Sequence, residues 1–262
     1  MSAARTAEDY ARIARTVARE ASQLALAGFR KRPDIREKGP ADLVTQYDLE
    51  SERWIRKRLA ELSPEAALLA EEEGGERHST GLIWYCDPID GTTNFAHGHP
   101  FWCVSIGLFN GLTPVAGAVV APALLTEWFG GPGFGAFRND EPCRVSQTNA
   151  LRSALVGTGF PFDRSQAPAN NFDSFLRVKP RAQAIRRCGS AALDLCLVAD
   201  GTYDAYWERG LNPWDLGAGV AIASGAGATL SGLDGGPLDP LKGHVLVSNG
   251  HFHEELRALV LG

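Results

Sequence analysis

Between residues 82 and 140 the chain carries five short β-rich runs, "LIWYCD", "FWCVSIGLF", "PVAGAVVAP", "LTEWFGG" and "GFGAFRND", separated by Gly, Pro and Asn. Segments this short and this heavily punctuated leave no room for long helices, and they predict an antiparallel meander. The preceding part has a different period. Tyr10, Ile13, Val17, Ala21, Leu24 and Ala25 recur at helical spacing, which predicts an amphipathic helix over 8–29 with its arginines on the wet face. "FRKRPDIREKGPAD" breaks that helix, and Asp48 reads as the N-cap of a second one, which is carried by Ile55, Leu59 and Leu62 and bounded by Pro64. After about residue 145, strand-like runs ("ALVGTGF", "QAIRR", "TYDAYWE", "HVLVSN") alternate with helix-like ones ("NNFDSFLRV", "SAALDLCLVADG", "PWDLGAGVAIASGAG", "HEELRALVL"). This predicts a mixed α/β layer. The expected organisation is an N-terminal α+β half (1–145) with the antiparallel sheet and a C-terminal α/β half (146–262). With no Pro/Ser-rich linker between them, the halves are expected to pack as one rigid unit.

At 262 residues and 44% apolar content the chain can bury one large core or two of ordinary size. Its 26 Lys and Arg against 31 Asp and Glu give a net charge of -5, so no bulk basic field invites nucleic acid or an acidic membrane surface. A small ligand is the expectation. Cys86, Cys103, Cys143, Cys188 and Cys196 are odd in number, form no CxxC pair and follow no secretory leader, so they read as buried thiols. The H-x-H pairs His97/His99 and His251/His253 lack further ligands at zinc spacing. Neither a leader h-region nor a membrane-length apolar run is present, which predicts a cytoplasmic protein.

The most unusual stretch is "WYCDPIDGTTNFAHG", residues 84–98, which sets Asp87 and Asp90 beside a proline, a glycine and two threonines straight after an apolar run. A strand ending at Asp87, with Pro88 fixing the turn, would leave both carboxylates facing outward from a sheet end. If Gly91-Thr92-Thr93-Asn94 opens a helical turn, its free N–H groups make a seat for an anion in the same space. Acids and an anion seat in one place conflict unless a cation reconciles them. Hard oxygen ligands of this kind suit Mg²⁺, which takes carboxylates together with phosphate oxygens. Two further acidic sites bear on this: Glu71, Glu72 and Glu73 in "LLAEEEGG", and Asp215 in "NPWDLGAG".

The run "WYCDPIDGTTNFAHGHPFWCVSIGL" resembles the metal-binding core of the inositol monophosphatase family. The resemblance extends to "ADLVTQYD", "AEEE" and "GSAALDLCLVADGTYDAYWERGLNPWD", and covers most of residues 38–230 in order. It implies a layered αβαβα sandwich, of mixed α+β and α/β character, and Mg²⁺-dependent hydrolysis of a phosphate monoester with two or three ions per site. By this resemblance Glu71, Asp87 and the carbonyl of Ile89 hold a first metal, and Asp87, Asp90 and Asp215 a second. Thr92 and Glu71 position the attacking water, and Asp48 hydrogen-bonds Thr92. The N–H groups of Gly91 and Thr92 hold the phosphate. Asp90, Glu208 and the backbone near Ser190 and Ala191 meet the hydroxyls of a small phosphorylated polyol, while Lys38 falls in an active-site loop. Ala70 stands where the family usually has Gly, "SGAGA" replaces "EAGG", and Trp102 follows Phe101 where a smaller pair is common. None of these departures removes a ligand.

Within this reading myo-inositol 1-phosphate is the expected substrate, with histidinol phosphate and fructose 1,6-bisphosphate as sibling alternatives. Arg186 and Arg187 could meet a second phosphate, or serve an interface. The family also implies a homodimer, to which Trp102, Trp128 and Phe129 could contribute apolar surface unless they are core. Some bacterial relatives partner the transcription machinery, which is the competing, non-catalytic reading.

Overall fold

The chain's first helix is announced by a threonine with an acid three residues on, and the same device opens the second. In the computed structural model, which describes residues 5–39, 42–75, 80–161 and 170–262, α1 spans Ala7–Gly28. Thr6 caps it in a reciprocal box with Asp9. Its alanine-rich face is buried, so it lies close against the sheet. Helix α2 spans Gln46–Leu62 and is capped by Thr45, not by Asp48 as the sequence suggested. Asp48 is the third helical residue; its Oδ2 accepts from Thr45 N (2.8 Å) and Thr45 Oγ1 (2.5 Å), so the "TQYD" run is a capping box. The segment read as a mere helix breaker holds β1 (Ile35–Gly39), paired antiparallel with β2 (Asp42–Thr45).

The large sheet is built from β3 (Ala67–Ala70), β4 (Gly74–Gly75), β5 (Leu82–Asp90), β6 (Cys103–Asn110), β7 (Thr113–Ala121), β8 (Thr126–Gly131), β9 (Gly135–Arg138) and β10 (Glu141–Cys143). Its order is β10-β9-β8-β7-β6-β5-β3-β4, and only the β3/β5 pair is parallel. The meander forms as expected. The second sheet, in the order β12-β11-β13-β15-β14, contains β11 (Leu155–Thr158), β12 (Ala184–Arg186), β13 (Ala205–Arg209), β14 (Thr229–Ser231) and β15 (His244–Ser248). The remaining helices are α3 (Thr92–Ala96), α4 (Phe172–Val178), α5 (Ala191–Ala199), α6 (Pro213–Gly225) and α7 (His253–Leu261).

Side-chain alternation along single strands defines the layers. On β5, Trp84 and Cys86 pack with α1 and α2, while Ile83 and Tyr85 pack with α5 and α6. On β13, Tyr206 faces that same central helix pair, while Ala205 and Trp207 face α7 and Val178 of α4. The result is the αβαβα sandwich. Because α6 lies between sheets, it is apolar all round, as a helix without a wet face must be. Its approach to the large sheet depends on missing side chains: a Cβ on Gly107 of β6 would sit 2.2 Å from the Gly217 carbonyl carbon of α6, and one on Gly117 of β7 2.6 Å from the Ala218 oxygen.

Trp102, Trp128 and Phe129 are all core, which removes them as interface surface. Cys86, Cys103 and Cys196 are buried, Cys143 and Cys188 half-buried, and all five are free thiols, as read from the sequence. Among the described residues no helix is long and apolar enough to cross a membrane.

Candidate active site

The strand carrying the paired acids does not stop at Asp87. β5 continues to Asp90 with its register against β6 broken between the two aspartates. A bulge of this kind bends the strand and re-aims its side chains, and Pro88, which has no N–H to donate, fits the unpaired position. Asp87 Oδ1 accepts from Ile89 N at 2.9 Å, tying the bulge to itself. Gly91 then turns the chain into α3 at φ +94°, a conformation that L side chains rarely adopt. A Cβ there would also lie 3.1 Å from the Phe101 oxygen and 3.2 Å from the Gly189 oxygen. The first N–H groups of the α3 turn have no intrahelical acceptor.

Each acid is fixed by the start of a helix or the end of a strand. Asp90 Oδ2 accepts from Ser190 Oγ (2.6 Å) and Ala192 N (2.7 Å), which docks the bulge onto the N-terminus of α5. Asp215, the third residue of α6, accepts from Asn212 N at 2.6 Å. Asp48 of α2 uses its second oxygen to accept from Thr92 Oγ1 at 3.1 Å, while the Ile89 carbonyl lies 2.9 Å from the same hydroxyl. These elements surround a cavity of about 550 Å³ lined by Lys38, Glu71, Asp87, Ile89, Asp90, Gly91, Thr92, Ser190, Ala191, Glu208 and Asp215. Every site residue expected from the sequence lies on its wall except Asp48, which is buried and reaches the site through Thr92. Lys38 belongs to the ordered ribbon strand β1, and Arg187, though exposed, lines the cavity while Arg186 does not.

Electrostatically the wall is over-supplied with negative charge. Burial drives the Asp87 carboxyl well above the usual carboxylate range, and the charges of Glu71, Asp90 and Asp215 raise it further. Asp215 is raised by burial and then by Asp90 and Glu71. Asp90 is pushed up to about 6 by burial, against the opposing pull of its Ser190 and backbone donors. Glu71 and Asp87 lie within hydrogen-bonding reach of each other, an arrangement two carboxyls tolerate only by sharing a proton or a cation. One cation is already at the rim: Lys38 Nζ is 2.7 Å from Glu71 Oε1 and 2.9 Å from Glu72 Oε1.

This donor set fits Mg²⁺. Among the described residues no group of three acidic, His or Cys side chains closes a cage by itself. Mg²⁺ does not ask for one, since it keeps several waters and completes its shell with substrate oxygens. A wall of hard oxygens whose charges raise one another's pKa lacks positive charge in the sense that such an ion supplies.

The sequence reading gave no role to three residues of the site. Glu52, fully buried on α2 one turn after Asp48, accepts from Glu72 N (2.6 Å), Glu73 N (2.8 Å) and Arg56 (2.7 Å), and so holds the acidic turn that presents Glu71. The available signal was its i,i+4 spacing from Asp48 and to Arg56. Glu72, named from the sequence only as a member of its acidic run, is drawn in by Lys38, and burial together with Glu71 pushes it up to about 7. Asp194, inside the apolar-looking "SAALDLCLVA", is 2% exposed and lines the cavity. Beside it, Glu208 accepts a hydrogen bond from the Tyr206 hydroxyl, and burial raises it to about 7. Gly159 makes room for that carboxyl, since a Cβ there would lie 2.1 Å from it.

An αβαβα sandwich that gathers acids around an anion seat defines a phosphoric monoester hydrolase. The model of the inositol monophosphatase family matches residues 6–261, and the chain belongs to that family. It is 43% identical over 224 residues to an inositol-1-monophosphatase of Synechocystis, covering 85% of this chain and 78% of that one. It is 37% identical over 247 residues to the Nus factor SuhB of Pseudomonas aeruginosa, with 90% of each covered. The solved inositol monophosphatase of Anabaena (Nostoc) superposes with a TM-score of 0.88 at 36% identity, over 97% of this chain and 96% of that one.

Proposed function

We propose that the chain is a Mg²⁺-dependent inositol-1-monophosphatase. The observation that carries this reading is the convergence of Glu71, Asp87, Asp90 and Asp215 on one cavity beside the Asp48-supported Thr92. In it Glu71, Asp87, the Ile89 carbonyl, Asp90 and Asp215 hold the metal, two or three ions in all. Bound there, Mg²⁺ supplies charge neutralisation and an acidified water for in-line displacement at phosphorus. The protein groups do the positioning. The single Thr92 proton lies between two acceptors, Asp48 Oδ1 and the Ile89 oxygen, so Thr92 Oγ1 meets an incoming water as an acceptor. A water that donates to Thr92 and to Glu71 presents its lone pair to phosphorus. Its oxygen forms the new P–O bond as the ester P–O bond breaks, the proton that the water sheds is matched by one taken up at the departing alkoxide oxygen, which leaves as the alcohol, and the Gly91 and Thr92 N–H groups carry the phosphate charge. Asp90, Glu208 and the Ser190–Ala191 backbone receive the polyol hydroxyls. Cytoplasmic location and a homodimer belong to the same reading.

Phosphate release from myo-inositol 1-phosphate, histidinol phosphate and fructose 1,6-bisphosphate, each with Mg²⁺ and with EDTA, tests it. Expected is EDTA-sensitive release with preference for the inositol ester, and a loss of about 100-fold or more in kcat on Asp90→Asn. Near-normal turnover of that variant at saturating Mg²⁺ sinks the two-metal account. A preference for either other ester moves the specificity within the same chemistry. The 37% identity to a Nus factor over 90% of both chains favours a second reading, a partner of the transcription machinery. Retention of cellular function by the Asp90→Asn variant would support it.

A further inference from the structure

The turn that presents Thr92 is too short to hold its own direction. Helix α3 has five residues, follows a glycine in the left-handed region, and closes with a Phe95 N to Gly91 O bond of 3.0 Å. A single turn of this length is not a stable helix by itself, so its orientation is set by what its side chains grip. Phe95 grips the core, edge-on to Trp102 with ring centroids 5.0 Å apart. Asn94 grips main chain. Its Nδ2 donates to the Phe101 oxygen at 2.7 Å and to the Cys188 oxygen at 2.9 Å. A side-chain amide has two N–H donors, and here both go to carbonyls of two separate segments, which also decides which end of the amide faces them. The packing is as tight as the bonding: a Cβ on Gly189 would lie 3.3 Å from Asn94 Nδ2, and one on Gly91 would lie 3.1 Å from the Phe101 oxygen and 3.2 Å from the Gly189 oxygen.

We infer that Asn94 is a positioning residue for the proposed reaction: by bonding Phe101 and Cys188 it fixes the direction of the Gly91–Thr92 turn, and with it the Thr92 hydroxyl that meets the attacking water. The inference rests on the phosphatase reading above. Asp90 makes the companion tie, through Ser190 Oγ and Ala192 N, so the stretch from Gly91 to Thr93 is fastened at both ends to residues 188–192 at the entry of α5. The two ties are not equivalent. Asp90 is a proposed metal ligand and divides its charge between the ion and its protein donors, whereas the neutral Asn94 amide spends both of its N–H groups on the protein. It is the tie that metal does not contest. Without it Thr92 keeps its bond to Asp48, but the turn is free to pivot about Gly91, and a displacement of about 1 Å in a positioning group can cost about 100-fold in rate.

The test compares wild type with Asn94→Ala, which removes both donors, and Asn94→Ser, which retains one, using myo-inositol 1-phosphate as substrate and inorganic phosphate as competitive inhibitor at saturating Mg²⁺. Expected in Asn94→Ala are a fall in kcat of about 10- to 100-fold and a weakening of phosphate inhibition of about tenfold, with Asn94→Ser between it and wild type. The Mg²⁺ concentration that gives half of the metal-dependent rise in melting temperature, read without turnover, should move by less than about twofold. Turnover and phosphate inhibition near wild type in both variants overturn the assignment whatever happens to the melting temperature, leaving Asn94 a packing residue and the phosphatase reading intact. A Mg²⁺ midpoint that shifts as far as the phosphate inhibition also overturns it, because the residue then acts through the metal ligands and not through the turn. Wild-type protein that releases phosphate from none of the three esters named above, with Mg²⁺ present, overturns the underlying reading and this one with it. Should Asn94→Ala not fold, Asn94→Ser decides by the same criteria.

Discussion

Asp48 and Thr92, 44 residues apart in sequence, meet through a 3.1 Å hydrogen bond that ties the first turn of α2 to the turn following the β5 bulge. The same carboxylate closes the helix cap with its other oxygen, so one buried side chain both starts a helix and aims a hydroxyl into the cavity.

That double duty can be separated. Asp48→Asn should lower kcat for a phosphate monoester by about 10- to 100-fold with little change in KM, because Thr92 loses its charged acceptor while substrate contacts stay. Thr45→Ala should cost about 1 kcal/mol of stability from the lost cap, and alter kcat only a few-fold. Steady-state kinetics and thermal denaturation on both variants measure this; equal kcat losses in the two would show that Asp48 matters only as part of the cap.

Glu52 is expected to matter for metal affinity without touching a metal. Glu52→Gln weakens the charged acceptor of the Glu72 and Glu73 N–H groups and of Arg56. Losing such a buried charge-assisted set costs about 2–4 kcal/mol, a fall in Tm of roughly 5–15 °C for a chain this long. Because the turn it holds presents Glu71, the Mg²⁺ concentration for half-maximal activity should rise at least about threefold. An unchanged Mg²⁺ requirement with lowered Tm would make Glu52 purely structural.

Stability without metal should fall as pH rises. Asp48 and Asp90 are pushed up to about 6, and Glu72 and Glu208 to about 7, in each case chiefly by burial. Acids whose folded pKa exceeds the unfolded value bind more protons in the folded state, so their stabilising contribution is complete below about pH 4 and is lost as pH climbs through about 6–7. His253, held low by burial, acts the other way, but it is one group against four. Thermal melts in EDTA should therefore drop between pH 5 and 8, and Mg²⁺ should raise the melting temperature most at pH 8, where its ligands are ionised. A melting temperature in EDTA that rose across this range would contradict the charge balance described for the cavity.

The α6 seam offers a test of packing. Gly107→Ala drives a methyl into the Gly217 backbone. It should destabilise the fold by about 3 kcal/mol, at the upper end of overpacking costs. Denaturant unfolding measures it, with Gly133→Ala, where a Cβ meets nothing within 4 Å, as a comparison reporting only the strain of its φ of +89°.

Much of the site was legible because its acids fall in a nearly contiguous run and at two well-marked helix or strand ends. What the sequence could not settle was geometry. Pro88 looked like a turn former, yet the register of β6 carries the strand through it as a bulge. "IREKG" was read only as part of the segment that breaks α1, but β1 is a largely exposed ribbon strand whose Lys38 is folded back onto Glu71 and Glu72. Asp48 was misplaced by one helical turn as a cap because the threonine three residues earlier is equally capable, and only the capping box decides between them. Glu52 and Asp194 were invisible for opposite reasons: one sits in a helix crowded with other charges, the other in a helix with hardly any.

The Lys38 ammonium bears on the order in which this protein assembles. A tethered cation held between Glu71 and Glu72 lets the acidic turn close before any ion from solution has arrived. A dissolved ion must diffuse in, whereas the lysine travels with the chain and is present at high local concentration as soon as the β1–β2 ribbon forms. Under the proposed function, folding and metal loading thereby become separate events. On that reading the later one is an exchange, in which the incoming ion competes with an ammonium group for Glu71.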